Sequence, residues 1–138
     1  MEPAPYSVLE LDAVEAIPVA GVRWKPVRRT LGIEAFGINA YTADAGTQIV
    51  EEHDERGGGA GGHEELYVVV SGRASFTVAG DEIDAPAVTF VWVEDPSAER
   101  VAFARADDTV VLSIGAGAPG SGWSPAGWDT SYLEGESG

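Results

Sequence analysis

Two short runs hold most of the side chains able to do chemistry. One is His53-Asp54-Glu55-Arg56, and the other, after a glycine-rich break at 57–62, is His63-Glu64-Glu65-Leu66-Tyr67. Side chains of a β-strand alternate between faces. Ile49, Glu51, His53 and Glu55 therefore share one face of their strand, and His63, Glu65, Tyr67 and Val69 share one face of the next. The result is two His-x-Glu pairs on either side of a loop, containing the only 2 histidines of the chain. If the two strands pair as a hairpin, the histidines meet across it. Imidazoles and carboxylates gathered in this way are the parts of a metal site or of an acid–base pair.

The elements that must position these groups read as strands. Glu64 to Val70 is the strongest of them, turned by Ser71-Gly72, with Arg73 to Val78 returning beside it. Ala79-Gly80-Asp81 is a tight-turn signal. Glu82 to Ala85 is a short strand ended by Pro86. Val88 to Val93 is an apolar, β-branched strand, Arg100 to Arg105 alternates, and Thr109 to Ile114 runs apolar. Before the first histidine, Thr47 to Glu55 is a strand entered from the turn Asp44-Ala45-Gly46. Glu34 to Tyr41 is another, and Arg23 to Thr30 reads as an extended segment with Pro26 at an edge or bulge. Tyr6 to Ala16 reads as an arm, a short strand or one helical turn. Many short strands at regular spacing, with no long amphipathic helix, indicate an all-β sandwich or barrel.

Two stretches resemble the motifs of the cupin family. Glu65-Leu66-Tyr67-Val68-Val69-Val70-Ser71-Gly72 has the glutamate-to-glycine spacing that ends the first motif, with His53 as its leading histidine and Gly46 near the place of its leading glycine. Gly80-Asp81-Glu82-Ile83-Asp84-Ala85-Pro86 has the glycine-to-proline spacing that opens the second. Departures are Glu55 at the second histidine, Val88 at the glycine after Pro86, and Glu99 and Arg100 where the last histidine is expected. The resemblance spans about residues 46–114. It implies a jelly-roll barrel, the cupin double-stranded β-helix, in one domain: an N-terminal arm and edge strands over 1–45, a core over 46–114, and a tail over 115–138.

It also implies a small-molecule pocket. Metal-binding cupins use the motif histidines and glutamate, so the set here is His53, Glu55 and Glu65, with His63 standing in for the missing ligand. Two nitrogens and two oxygens suit a divalent Zn, Mn, Fe or Ni. Without a metal, Glu65 is a buried carboxylate beside a histidine, able to act as a general acid or base with Tyr67 as a proton donor. The implied activity is a metal-assisted oxygenation or isomerisation. The alternative is a metal-free cupin acting as a ligand-binding or structural dimer. Leu66, Val68 and Val70 need cover on the outer face, from the N-terminal strands or from a second subunit. A homodimer, on sheet faces or exchanged N-terminal strands, is what the same resemblance implies.

Composition sets the outer bounds. The chain has 138 residues and an apolar fraction of 44%, enough for one cored domain. It has no cysteine, so no disulfide and no thiolate chemistry is available. A net charge of −15 repels nucleic acid and anionic membrane surfaces. The first residues carry no signal-peptide pattern and no apolar run reaches membrane-spanning length, so a cytoplasmic location is the expectation.

The remaining residues of note each have a plain reading. Phe90 and Trp92 share a face and read as packing, with a pocket wall as the second reading. Tyr67 reads first as a core aromatic. Arg100 reads as a surface ion pair with Glu99 or Asp95, or else as a clamp for a substrate carboxylate. Arg23, Lys25, Arg28 and Arg29 read as a solvated edge. Gly57 to Gly62 is a hairpin loop or lid, and Trp123, Trp128 and Tyr132 lie outside the barrel or at a subunit contact.

Overall fold

The computed structural model describes residues 5–53 and 64–116. Glu55, His63, the glycine loop and the aromatic tail lie outside the described residues. Among the described residues ten strands form two sheets. β1 (Ile17–Val19), β2 (Val22–Lys25), β3 (Gly37–Ala43), β4 (Gln48–His53) and β5 (Glu64–Ser71) come first. β6 (Arg73–Val78), β7 (Asp81–Pro86), β8 (Thr89–Val93), β9 (Arg100–Ala104) and β10 (Thr109–Ala116) follow. The larger sheet runs β1-β2-β3-β10-β5-β8 and the smaller β4-β9-β6-β7. All the pairings are antiparallel. This is an all-β jelly-roll arrangement in which the two sheets face each other without hydrogen bonds closing them into one barrel.

Alternation decides what fills the space between the sheets. On β5, Glu65, Tyr67 and Val69 are buried and Val70 is exposed. On β9, Arg100, Ala102 and Ala104 are buried and the residues between them are only partly so. The larger sheet sends in Tyr67, Val69, Val91, Val93 and Val111, and the smaller one answers with Phe76 and the small Ala74, Ala85, Ala102 and Ala104. Large side chains facing small ones interdigitate without voids. The rings of Tyr67 and Phe76 meet at 5.4 Å between centroids and 52° between planes, a tilted pair that adds about 1 kcal/mol beyond its buried area.

Several sequence expectations are corrected. β4 and β5 do not form a hairpin: β4 pairs with β9 in one sheet and β5 with β10 and β8 in the other. The extended segment expected from Arg23 stops at Lys25, and Val27–Leu31 is a helical turn, α1. Pro26 precedes the helix, where its missing N–H costs nothing, and Gly32 closes it in the left-handed conformation at φ 76°. Arg28 is buried rather than solvated, because its Nη1 donates to the Ile33 carbonyl at 2.9 Å. The strand expected from Glu34 begins at Gly37. Leu11–Ala13 is one 3-10 turn.

The largest surprise is on the outer face of the larger sheet. Phe90 and Trp92 are 63% and 54% exposed, not packed in the core. Register explains it. Tyr67 faces Val91 and Glu65 faces Val93, so those partners point inward and the two aromatics between and beside them must point out.

Candidate functional site

Three elements bring the site together, and irregular pairing makes it possible. Along β4 the register with β9 shifts twice, so that Val50 sits opposite Ala102 and His53 opposite Arg100. Three residues on β4 thus span two on β9, which is a bulge that re-aims the strand. The alternation of Ile49, Glu51 and His53 fails for this reason: Ile49 and Val50 are both buried, while Glu51 and Glu52 face solvent. The same shift places His53 beside Arg100 at the end of the smaller sheet. Glu65, near the start of β5, faces them from the opposite sheet.

Glu65 is the centre of the cluster and is 3% exposed. Its Oε1 accepts a hydrogen bond from Arg100 Nη1 at 3.2 Å and another from the Tyr67 hydroxyl. His53 Nε2 lies 3.5 Å from the same oxygen. A buried carboxylate left alone would cost several kcal/mol, and these partners offset that cost. The Tyr67 hydroxyl is itself buried, and its pKa is pushed well above the ordinary tyrosine range, first by burial and then by the negative charge on Glu65. Tyr67 is therefore both a core ring and a polar partner.

Arg100 has no exposed surface. Its Nε and Nη2 donate to the Ala98 carbonyl at 3.0 and 2.7 Å, and Nη2 donates to the Asp95 carbonyl at 3.3 Å. The turn before β9 therefore wraps the guanidinium and holds it against Glu65. The surface ion pair expected for Arg100 is overturned, as is the clamp on a substrate carboxylate, since its hydrogens are spent inside the protein. A signal for burial was present in the sequence. Arg100 shares its strand face with Ala102 and Ala104, two small residues suited to an inter-sheet space.

His53 is the member that meets solvent, with its side chain 33% exposed. Its Nδ1 lies 2.5 Å from the Glu51 carbonyl oxygen, which can only accept, so Nδ1 carries a hydrogen. Nε2 is then the nitrogen that gains and loses a proton, and it is the one directed at Glu65. Deeper on the same inner face, Ser113 and Asn39 are buried polar residues that pair in register with Tyr67 and with each other. Sequence reasoning did not single them out, because a lone Ser or Asn in a strand carries no motif.

Of the residues assigned to metal, His53 and Glu65 come together, while Glu55 and His63 lie outside the described residues. Among the described residues no three His, Cys, Asp or Glu groups gather around one point. The donor chemistry is also altered, because the Glu65 oxygen nearest His53 already receives a guanidinium and a phenol. A cation arriving there would meet the fixed positive charge of Arg100. The described residues do not fit a metal centre.

The fold is shared with solved structures of cupin type. A sugar phosphate isomerase of a cupin superfamily from Silicibacter pomeroyi superposes with a TM-score of 0.63 at 16% identity, over 82% of this chain and 77% of that one. A structure from Acidithiobacillus ferrooxidans, whose name proposes a sugar phosphate isomerase, gives 0.58 at 23% identity, over 70% of this chain and 59% of that one. Pac13, a nucleoside dehydratase, gives 0.56 at 16% identity, over 79% and 81%; it is a Streptomyces protein. At these identities the likeness shows a cupin-like fold. No family model matches the chain, and no curated protein matches it. Among the described residues no helix is long and apolar enough to cross a membrane.

Proposed function

We propose that the chain is a small-molecule enzyme of isomerase or dehydratase type, with His53 as the group that exchanges protons with substrate and Glu65 as the charge that steadies it. The observation that carries this reading is the single Glu65 oxygen shared by Arg100, Tyr67 and the half-buried His53. A proton taken up at Nε2 makes an imidazolium 3.5 Å from a carboxylate, and the pair stabilises it in a partly desolvated setting. The same proton can be returned to a neighbouring carbon or to a departing hydroxyl. Removing a proton and giving it back is what both isomerisation and dehydration require. Arg100 and Tyr67 hold Glu65 in place, and the Glu51 carbonyl fixes which imidazole nitrogen turns toward Glu65. Structural neighbours named for an isomerase and a dehydratase support the reaction type.

The test is proton exchange in D2O with a panel of aldoses, ketoses and nucleosides, followed by NMR. The expected result is deuterium uptake or product formation with at least one compound, lost in His53→Gln. No exchange with any compound, or exchange unchanged in His53→Gln, overturns the proposal. If a compound raises the melting temperature without reacting, the chain is a binding protein.

A second reading has one observation in its favour. A separation of 3.5 Å between His53 Nε2 and Glu65 Oε1 is one that two ligands of a single ion can have. A divalent Zn, Mn, Fe or Ni would then need His53, Glu55, His63 and Glu65, with Arg100 and Tyr67 giving up that oxygen. Stoichiometric metal in protein purified without chelator, absent from His53→Ala, would establish it over the first reading.

A further inference from the structure

A strand at the end of a sheet has one unpaired side, and that side is a template for another strand. Among the described residues the larger sheet ends in β1 and β8, and the smaller in β4 and β7. Three of these four edges are blunted by their sequence. β1 is 3 residues long with Pro18 at its centre. β4 carries the exposed Glu51 and Glu52 and breaks register with β9. β7 carries the exposed Asp81, Glu82 and Asp84 and ends on Pro86. β8 has none of these protections. Thr89-Phe90-Val91-Trp92-Val93 holds no charge, no proline and no glycine, and it pairs with β5 without a register shift. Every residue in it is β-branched or aromatic, the composition that favours strand pairing.

What fits this edge follows from its alternation. Directly opposite residues of an antiparallel pair point to the same face, so a partner strand must alternate as β8 does. A second β8 meets that condition. In the register centred on Val91, the two strands overlap along their whole length. Val91 then meets Val91 of the second copy, Thr89 meets Val93, and on the outer face Phe90 meets Trp92 twice. Opposed aromatic residues are among the favourable cross-strand pairs. The two nearest registers that keep the faces matched do worse. One sets Phe90 against Glu94 of the second copy, and the other sets Trp92 against Val88. Charge does not oppose the central register locally, although each copy carries −15. It places Glu94 opposite Val88 of the second copy. The two Glu94 residues are then about 20 Å apart at the usual rise per residue, beyond the screening length of about 8–10 Å.

We infer that β8 is the edge at which a second copy of this chain adds antiparallel, joining the two larger sheets across a two-fold axis at Val91. The inference is independent of the proposed reaction. The contact is main-chain pairing along β8, with Phe90 and Trp92 as its side-chain anchors. It braces the strand whose Val91 and Val93 pair with Tyr67 and Glu65.

The absence of cysteine makes the register measurable by disulfide cross-linking. Phe90→Cys and Trp92→Cys are purified separately, then oxidised alone and as an equal mixture. Both residues are exposed, so neither change empties the core. In the proposed register a thiol at 90 faces a thiol at 92 of the other copy, and the second Phe90–Trp92 contact stays intact. Like thiols are offset along the strands, with Cα atoms about 8 Å apart, too far for a disulfide. The mixture is expected to yield about tenfold more cross-linked dimer than either variant alone, with the 90–92 bridge found by mass spectrometry. Equal yields from either variant alone, or no cross-link in the mixture at millimolar protein, overturn the inference. A further substitution separates the edge from the face. Leu112→Thr, placed in both cysteine variants, alters the outer face on β10, two strands in from β8. The yield should be unchanged, and loss of the cross-link in this folded variant overturns pairing at the edge.

Discussion

Arg100 and Glu65 make the site a matter of charge balance. Both side chains are essentially sealed from water, so each needs the other. Arg100→Ala should lower stability by about 3–5 kcal/mol, the usual result of stranding a buried charge. The double variant Glu65→Leu, Arg100→Met should recover most of that loss, because two charges are then replaced by apolar groups. Urea unfolding of the three proteins measures both effects, and a double variant as weak as the single one would mean the pair is not what the region depends on. Tyr67 gives a second test through pH. Its folded-state pKa is raised, so the folded chain holds the phenolic proton more tightly than the unfolded chain. Its contribution is complete below the unfolded tyrosine value of about 10 and is lost as pH rises through the higher folded value. Tyr67→Phe should flatten that alkaline loss, seen as a smaller fall in unfolding free energy between about pH 9 and 11.

At the level of elements, two turn positions carry opposite expectations. Gly72, between β5 and β6, has φ 76°, and an added Cβ would sit 2.7 Å from Thr109 Cα and against its hydroxyl. Backbone cannot retreat as a flexible side chain can. Gly72→Ala should therefore cost more than about 2 kcal/mol, from strain and collision together. Val88 leads into β8 with φ 65° and is 72% exposed. A β-branched residue is strained in that conformation. It stands where the cupin motif carries glycine. Val88→Gly should be neutral or stabilising by up to about 1 kcal/mol, since little burial is lost and strain is relieved. Thermal unfolding of both variants checks the signs. The bulges of β4 belong to this scale as well, because a regular strand would not have paired His53 with Arg100 while keeping Val50 inward.

For the whole molecule, the notable surface is the outer face of the larger sheet. Trp92, Leu66, Ile114 and Ile38 lie in one cross-strand row, and Phe90, Val68 and Leu112 in the next. The aromatic end of both rows falls on β8, the last strand of the sheet. Exposed apolar faces of this kind mark contact surfaces. The homodimer expected from the sequence would use this face. Sedimentation velocity over a wide range of concentration should then show a monomer–dimer equilibrium that Trp92→Ser shifts toward monomer. A monomer at every concentration would show that the face is left to solvent.

The sequence by itself determined the strand content, the inward set Glu65, Tyr67 and Val69, and the likeness to cupins. The first two follow from period-two alternation and turn spacing, and the resemblance from the residues of two short motifs; all of these are local. Tertiary structure decided what Glu65 meets. Whether His53 reaches it within a hairpin or from an opposing sheet depends on pairing among strands far apart in the chain, and that pairing also turned Arg100 from a surface residue into a buried partner. The helical turn at Val27–Leu31 and the outward aromatics of β8 escaped for the same reason: each is set by what packs alongside, and a residue's own neighbours in the chain do not carry that information.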